Sequence, residues 1–295
     1  MLSECISKEN ISMNEPLKNH VSFKTGGNAK YFVTPENAEQ LVCVIKALRE
    51  NGEKYFVMGN GSNLLVSDSG FDGTVICIGR NMSAITVNGC EITAMSGALL
   101  SRIASVALKA SLTGFEFASG IPGSLGGAVV MNAGAYGGEM KDVIVKTEYL
   151  SKDGELKCVS GEEHGFGYRK SIFAEGDVVI SSVISLKHGD SDKIRSTMDE
   201  LNCRRREKQP LEYPSAGSTF KRPEGYFAAK LIDDSGLRGF KCGGAMVSEK
   251  HCGFVINYDN ATSSDIYRLM GHVKSVVYDK FGVMLEPEVR LLGDF

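Results

Sequence analysis

The sequence predicts an α+β fold in two domains. Strand-like and helix-like segments mix along the chain without a regular βαβ rhythm. The length of 295 residues suits two domains of about 150 residues each. A polar turn cluster, His188-Gly189-Asp190-Ser191-Asp192-Lys193, interrupts the pattern. The expected organisation is a lead-in over 1–18, one domain over 19–190 and a second over 191–295.

The pattern predicts a first helix over about 35–51. Ala38, Leu41, Val42, Ile45 and Leu48 recur on one face. Thr34 would cap its start, Pro35 suits the first turn, and Gly52 suits the residue past its end. Tyr55–Met58, Leu64–Val66 and Thr74–Ile78 read as strands. Asn88-Gly89-Cys90 joins two short β-rich runs, a hairpin signal. A second helix is predicted over about 98–110. A second hairpin, around Asp153-Gly154, joins Val143–Leu150 to Glu155–Val159, and Val178–Leu186 is a long strand. A charged helix over 191–208 leads to Pro210. Another helix is predicted over 263–281, with a closing strand over Leu285–Leu292.

Two glycine-rich stretches stand out from this background. The first is Gly59-Asn60-Gly61-Ser62-Asn63-Leu64. The second runs from Ser119 to Glu139, SGIPGSLGGAVVMNAGAYGGE. Glycine lets backbone approach a ligand with no Cβ in the way. The first stretch begins like a dinucleotide fingerprint, but Leu64 replaces the third glycine and a strand follows instead of a helix, so that reading fails. No Gly-Lys-Ser/Thr follows, which excludes a P-loop. What remains is a nest of backbone N–H groups for an anion. A tight strand–strand turn is its plain alternative. In the second stretch, glycines precede the apolar Ala128–Met131, a helix start that would offer N–H groups to phosphate. Dense backbone packing is the alternative there. Together the two loops suit a dinucleotide with a diphosphate and a large planar ring.

Composition excludes several classes. Net charge is −3, and the basic run is confined to Arg204-Arg205-Arg206 with Lys208, so no nucleic-acid partner is expected. No apolar run reaches about 18 residues, so no membrane span is expected. The eight cysteines form no C-x-x-C pair, and the five histidines share no i,i+4 spacing, so no metal site is expected. Cys43 and Cys77 sit in apolar runs and read as small buried hydrophobes. With no signal peptide visible, the expected setting is the cytoplasm with free thiols.

The ordered motifs HVSFKTGGNAKYFV, GNGSNLLV, SGIPGSLGGAVVMNAGAYGGE, GYRKSIF, SAGSTFKRP and LEPEVR cover about Asn19 to Gly293. In them the chain resembles the UDP-N-acetylenolpyruvoylglucosamine reductase (MurB) family of cell-wall enzymes. The resemblance implies a vanillyl-alcohol-oxidase-type (PCMH-type) FAD-binding domain followed by a C-terminal α+β substrate domain. It implies non-covalent FAD, NADPH as hydride donor, a UDP-sugar enolpyruvyl ether as substrate and a role in peptidoglycan synthesis. The direct run from Val178 to Lys208 leaves no room for an extra tyrosine loop, so the chain resembles the shorter, second type.

The same resemblance assigns site residues. Arg169 would hold the substrate carboxylate, Ser218 would donate a proton to Cα, and Glu288 would orient that end of the substrate. Glu286 competes with Glu288; in a strand the two share a face. Tyr168, Lys208, Arg222 and His251 fall where the family contacts substrate. The FAD positions fall on Gly59, Asn60, Gly61, Ser62, Asn63 and Leu64 in the first run. In the second they fall on Gly120, Ile121, Pro122, Gly123, Ser124, Gly126, Gly127, Asn132, Ala133 and Gly134. A covalent flavin oxidase of the same fold class is the rival. No histidine or cysteine lies in either run to tether a flavin.

Overall fold

A computed structural model describes residues 1–173 and 176–295. The chain divides into two compact units, each built from separate stretches of sequence. The first comprises Met1–Ser12, Phe32–Asn60 and Thr74–Arg205; the second comprises Met13–Tyr31, Gly61–Gly73 and Arg206–Phe295. These breaks differ from the expected 19–190 and 191–295. Residues 13–31 and 61–73 pack with the C-terminal part, while the charged helix Ser191–Lys208 stays with the first unit as far as Arg205. The lead-in over 1–18 contains a short helix, Leu2–Cys5, and a strand, Ile11–Pro16.

The first unit centres on a five-stranded antiparallel sheet. Its order is Leu156–Ser160, Ile144–Leu150, Val178–Ser185, Glu91–Met95, Ile85–Asn88. Both predicted hairpins are present. Asn88 pairs with Glu91 across Gly89 (φ +59°), where the positive φ that such tight turns demand suits glycine. Burial alternates along the second half of Val178–Ser185, as a strand packed on one face requires. The core joins Ile92, Ala94, Ile144 and Ile184 of the sheet to Leu100, Ile103, Ala104 and Ala107 of the helix Leu100–Lys109 and to Leu125 and Val129 of the short helix Leu125–Val130. Each buried Leu, Ile or Val side chain among them contributes roughly 1.5–3 kcal/mol.

The helix predicted over 35–51 starts later, at Ala38, and runs to Glu50. Asn37, not Thr34, caps it, accepting a bond from the Gln40 amide (2.9 Å). Thr34 instead bonds Asn10 through both its amide and its hydroxyl. The expectation of free thiols is corrected here. Cys5 and Cys43 form a disulfide with their Cα atoms 5.4 Å apart. The helices Leu2–Cys5 and Ala38–Glu50 pack together, and Cys43 lies on an exposed position of the second rather than inside the core. Nothing in the local sequence marks a pairing across 38 residues.

The second unit holds a three-stranded antiparallel sheet, Lys241–Cys242, Ala245–Val247 and Val255–Asn257, covered by the helix Ser263–Phe281. That helix forms where its pattern predicts. Ile266, Leu269, Met270, Val273 and Val277 are buried, Thr262 and Asp265 form a capping box, and Gly282 (φ +67°) closes the end. Asp68 adds a second cap, accepting the Ser263 amide (2.8 Å), the Ser264 amide (2.9 Å) and the Ser264 hydroxyl (2.6 Å). The closing strand is shorter than expected. Only Arg290–Leu292 is extended, pairing in parallel with Leu64–Val66.

Candidate functional site

The two glycine stretches meet in the first unit. Asn60 donates from its side chain to the Pro122 carbonyl (2.6 Å). A β-carbon on Gly59 would collide with the Ser124 hydroxyl. These two contacts fix Gly59-Asn60 against Pro122–Ser124 and leave no space for a side chain between them. Beneath the loop, Cys77 points its thiol at the Gly59 carbonyl (3.8 Å), and burial pushes that thiol up to about 11, far from a reactive thiolate. The rest of the first stretch, Gly61 to Leu64, belongs to the second unit. There Asn63 is committed to backbone, donating to the Glu288 carbonyl (3.0 Å) while its own carbonyl accepts from the Arg290 amide (3.0 Å).

The second stretch differs from a simple phosphate-binding helix start. The Leu125 amide bonds the Ala98 carbonyl (2.8 Å), and the Gly126 amide bonds Ser96 (2.9 Å). Those N–H groups are therefore not available to a ligand, and the helix Leu125–Val130 has only 6 residues. Gly126 is a packing glycine: a β-carbon there would lie 2.8 Å from Ser96 Cβ. Gly120 is packed under Asn202 and Arg205, whose nearest atoms would stand 2.7 and 2.9 Å from a β-carbon. Gly127 faces open space, with nothing within 4 Å of such an atom.

Three hydroxyls missed by sequence reading complete this description. Ser119, inside the second stretch, and Ser96, against Gly126, each bury an Oγ that has no hydrogen-bond partner among the described residues. In the second unit Ser22 does the same, while its amide donates to the Gly61 carbonyl (3.1 Å) of the first stretch. Buried polar atoms without partners are uncommon and point to a missing polar ligand. Within the first unit, side-chain-free glycine backbone, an open face at Gly127 and the hydroxyls of Ser96 and Ser119 fit a polar, extended dinucleotide such as FAD. Their signal in the sequence was only that serine recurs beside the glycines.

Arg169 sits at the tip of a tight turn in the first unit. Gly167 and Lys170 exchange backbone bonds (2.9 and 3.2 Å), which places Tyr168 and Arg169 at the two central positions. Arg169 adopts φ +53°, a region where non-glycine residues are strained. Its guanidinium lies 5.2 Å from the ring centre of the exposed Tyr168. Glu139 is close enough to feel its charge. The Glu139 carboxyl is held below its ordinary value, first by its bond to Lys141, then by Asn132 and the charges of Lys141 and Arg169, against the opposing effect of burial.

In the second unit Thr219, the neighbour of Ser218, bonds the backbone of Glu288. The fully buried threonine receives the Glu288 amide on its carbonyl (2.9 Å) and the Val255 amide on its hydroxyl (2.9 Å), and its own amide donates to Gly253 (2.8 Å). Ser218, next to it, is exposed. The two competing glutamates differ in their surroundings. Glu286 is exposed and ion-paired with Lys221, whereas Glu288 is half-buried beside Ser218's neighbour. The segment is not a regular strand here; Pro287, between the two, forms an isolated antiparallel bridge with Phe220.

Of the expected substrate contacts, Lys208 is exposed at the end of its helix and forms no ion pair among the described residues. Arg222 lays its guanidinium 3.9 Å from the Phe227 ring centre and donates to the Tyr226 carbonyl (3.2 Å). His251 accepts the Gly253 amide on Nδ1 (3.1 Å) and packs edge-on to Phe254. Burial, the main cause, lowers its pKa, so the ring is neutral near pH 7.

Comparison with known proteins agrees with this geometry. Residues 29–160 match an FAD binding domain family, and residues 209–292 match the C-terminal domain of UDP-N-acetylenolpyruvoylglucosamine reductase. The chain is 51% identical over 294 residues to the UDP-N-acetylenolpyruvoylglucosamine reductase of Clostridioides difficile, covering 99% of this chain and 97% of that one. It is 50% identical to that of Caldanaerobacter subterraneus, with the same coverage. The crystal structure of the Thermus caldophilus UDP-N-acetylenolpyruvylglucosamine reductase superposes with TM-score 0.82 at 35% identity, covering 96% of this chain and 98% of that one. A glucose dehydrogenase variant of Phl p 4 shares the fold alone, at TM-score 0.52 and 14% identity, over 96% of this chain and 62% of that one.

Proposed function

We propose roles for individual residues from one premise: the chain belongs to the UDP-N-acetylenolpyruvoylglucosamine reductase family. It is an FAD-containing oxidoreductase. It reduces UDP-N-acetylglucosamine enolpyruvate to UDP-N-acetylmuramate with NADPH, a step of peptidoglycan precursor synthesis. When bound, FAD supplies two-electron relay chemistry, taking a hydride from NADPH and returning it to the enolpyruvyl β-carbon.

The glycine stretches hold the cofactor through backbone and through Ser22, Ser96 and Ser119. Arg169 binds the substrate carboxylate. As the β-carbon gains hydride, negative charge grows at Cα and on that carboxylate, beside the guanidinium. Ser218 delivers the proton to Cα. A serine hydroxyl is a weak acid, and it serves here because its acceptor is a reactive carbanion within hydrogen-bond reach. Glu288 orients the same end of the substrate. Tyr168, Lys208, Arg222 and His251 contact the nucleotide sugar, with His251 acting as a neutral polar group. A cytoplasmic setting, where NADPH and nucleotide sugars are made, and a contribution to cell shape and division belong to the same proposal. Among the described residues no helix is long and apolar enough to cross a membrane.

The observation that carries the residue roles is the Thr219 junction, which holds Ser218 beside the backbone of Glu288. Arg169→Ala tests the arginine. It is expected to keep its flavin and its reduction by NADPH while losing reoxidation by the enolpyruvyl substrate. Loss of FAD from that variant would refute the assigned role.

A further inference from the structure

Asn132, expected among the cofactor contacts, has both polar side-chain atoms engaged by protein. It is fully buried and adopts φ +41°, a left-handed conformation that asparagine tolerates better than most residues. Its Nδ2 donates to Glu139 Oε2 (2.9 Å) and to the Gly167 carbonyl (3.0 Å), and its Oδ1 accepts the Lys141 amide (2.9 Å). Both amide hydrogens are therefore used.

The Gly167 carbonyl is the first carbonyl of the turn that carries Arg169. It already accepts the Lys170 amide (3.2 Å), so Asn132 occupies its second lone pair. Two further bonds anchor the same loop. Ser171 donates from Oγ to the Val130 carbonyl (2.8 Å), and the Ile172 amide donates to the His164 carbonyl (2.9 Å). His164 is itself fixed. Its ring bonds the Gly161 carbonyl (2.8 Å) and the Thr147 hydroxyl (2.9 Å) and stacks on Phe166 with centroids 4.8 Å apart. The left-handed Arg169 is strained, and such strain persists only where surroundings over-determine the backbone. Here they do so from the end of the second glycine stretch.

Glu139 completes the bracket. One carboxylate oxygen takes both Asn132 Nδ2 and Lys141 Nζ (2.9 Å each), and its amide is capped by Asp142 (2.8 Å). Gly138, just before it, is pressed against the Phe117 ring, where a β-carbon would lie 2.6 Å from two ring atoms. The carboxylate cannot drift without moving the cofactor stretch itself.

We propose that Asn132 and Glu139 are positioning residues: Asn132 clamps the Gly167 carbonyl to present Arg169 in its left-handed turn, and the Glu139 carboxylate holds the Asn132 side chain in place for that task. The device couples the glycine stretch to the carboxylate-binding arginine. It rests on the reading of Arg169 as the group that holds the substrate carboxylate.

The test uses the flavin-loaded protein and measures the two half-reactions separately, in Asn132→Ala, Glu139→Gln, Arg169→Ala and the two double variants with Arg169→Ala. Reduction by NADPH and flavin retention are expected to stay within about twofold of the parent. The rate of reoxidation by the enolpyruvyl substrate is expected to fall on the order of 10²-fold in Asn132→Ala, the scale on which misplaced groups act. A smaller fall, on the order of tenfold, is expected in Glu139→Gln, which keeps an acceptor for Asn132 but lacks the charge; a tenfold change equals about 1.4 kcal/mol. If both act through Arg169, neither substitution weakens Arg169→Ala further. Additive losses in the double variants, or equal loss of both half-reactions in the single ones, would overturn the proposal while leaving the role of Arg169 intact. Undiminished reoxidation in Arg169→Ala would overturn both.

Discussion

The contact between Gly59 and Ser124 makes the cofactor cradle testable by steric complementation. In Gly59→Ala the new methyl group would overlap the Ser124 hydroxyl, and Ser124 Cβ would stand 3.4 Å away, an ordinary contact. The conflict thus lies with one oxygen atom. Gly59 does not have a positive φ, so alanine brings no backbone strain. Overpacking of this kind costs about 1–3 kcal/mol. If the cradle gives way, FAD binding weakens roughly 5- to 140-fold at 1.4 kcal/mol per tenfold. The Asn60–Pro122 bond would stretch with it. Titration of the apoprotein with FAD, followed by flavin fluorescence, reads the change directly. Ser124→Ala removes the clashing oxygen, so the double variant Gly59→Ala/Ser124→Ala is expected to regain parental affinity. Parental FAD binding in Gly59→Ala alone, or no recovery in the double variant, would refute the reasoning.

Two other expectations follow from the units themselves. Burial pulls the Asp68 carboxyl upward, but its bonds from Ser264 and Ser263 prevail and hold it below its ordinary 3.8. A group depressed by folding stabilises above its unfolded value, and that stability is lost as pH falls through the folded value. The thermal midpoint of the second unit is therefore expected to drop below about pH 4, and Asp68→Ala to cost about 1–2 kcal/mol at pH 7 as a lost helix cap; a variant as stable as the parent at pH 7 would remove Asp68 from this role. The Cys5–Cys43 bond closes a loop with a sequence separation of 38. Its reduction is expected to lower stability by up to about 4 kcal/mol, seen as a reductant-dependent melting temperature that Cys5→Ala abolishes; a midpoint insensitive to reductant would contradict the pairing.

The parts of this fold that local chemistry dictates were legible in the sequence. The helix Ser263–Phe281 announced itself by its apolar spacing and its closing glycine, and the hairpin at Gly89 by Asn-Gly. What depended on distant partners was not. Thr34 and Asn37 are equally plausible caps until Asn10 is seen to engage Thr34. Leu285–Leu292 is apolar enough for a strand, yet it pairs regularly only over its last three residues, with an isolated bridge from Pro287 to Phe220 before them. Cys43 reads as buried because its neighbours are apolar, although it faces outward toward Cys5. At the site, the motif order proposes Arg169, Ser218 and Glu288, and the pairing of Glu286 with Lys221, which distinguishes it from Glu288, shows only in the structure. Asn132 stands among the cofactor positions by resemblance, and its three protein partners, from residues 7 to 35 positions away, show only in the structure.

The most direct measurement is an anaerobic single-turnover experiment on Ser218→Ala, watched through the flavin absorbance. NADPH is expected to bleach the flavin at the parental rate. Addition of the enolpyruvyl substrate is then expected to restore the colour orders of magnitude more slowly, because only the second half-reaction needs a proton at Cα. Reoxidation at the parental rate, or equal slowing of both phases, would contradict the assignment of Ser218 as the proton donor.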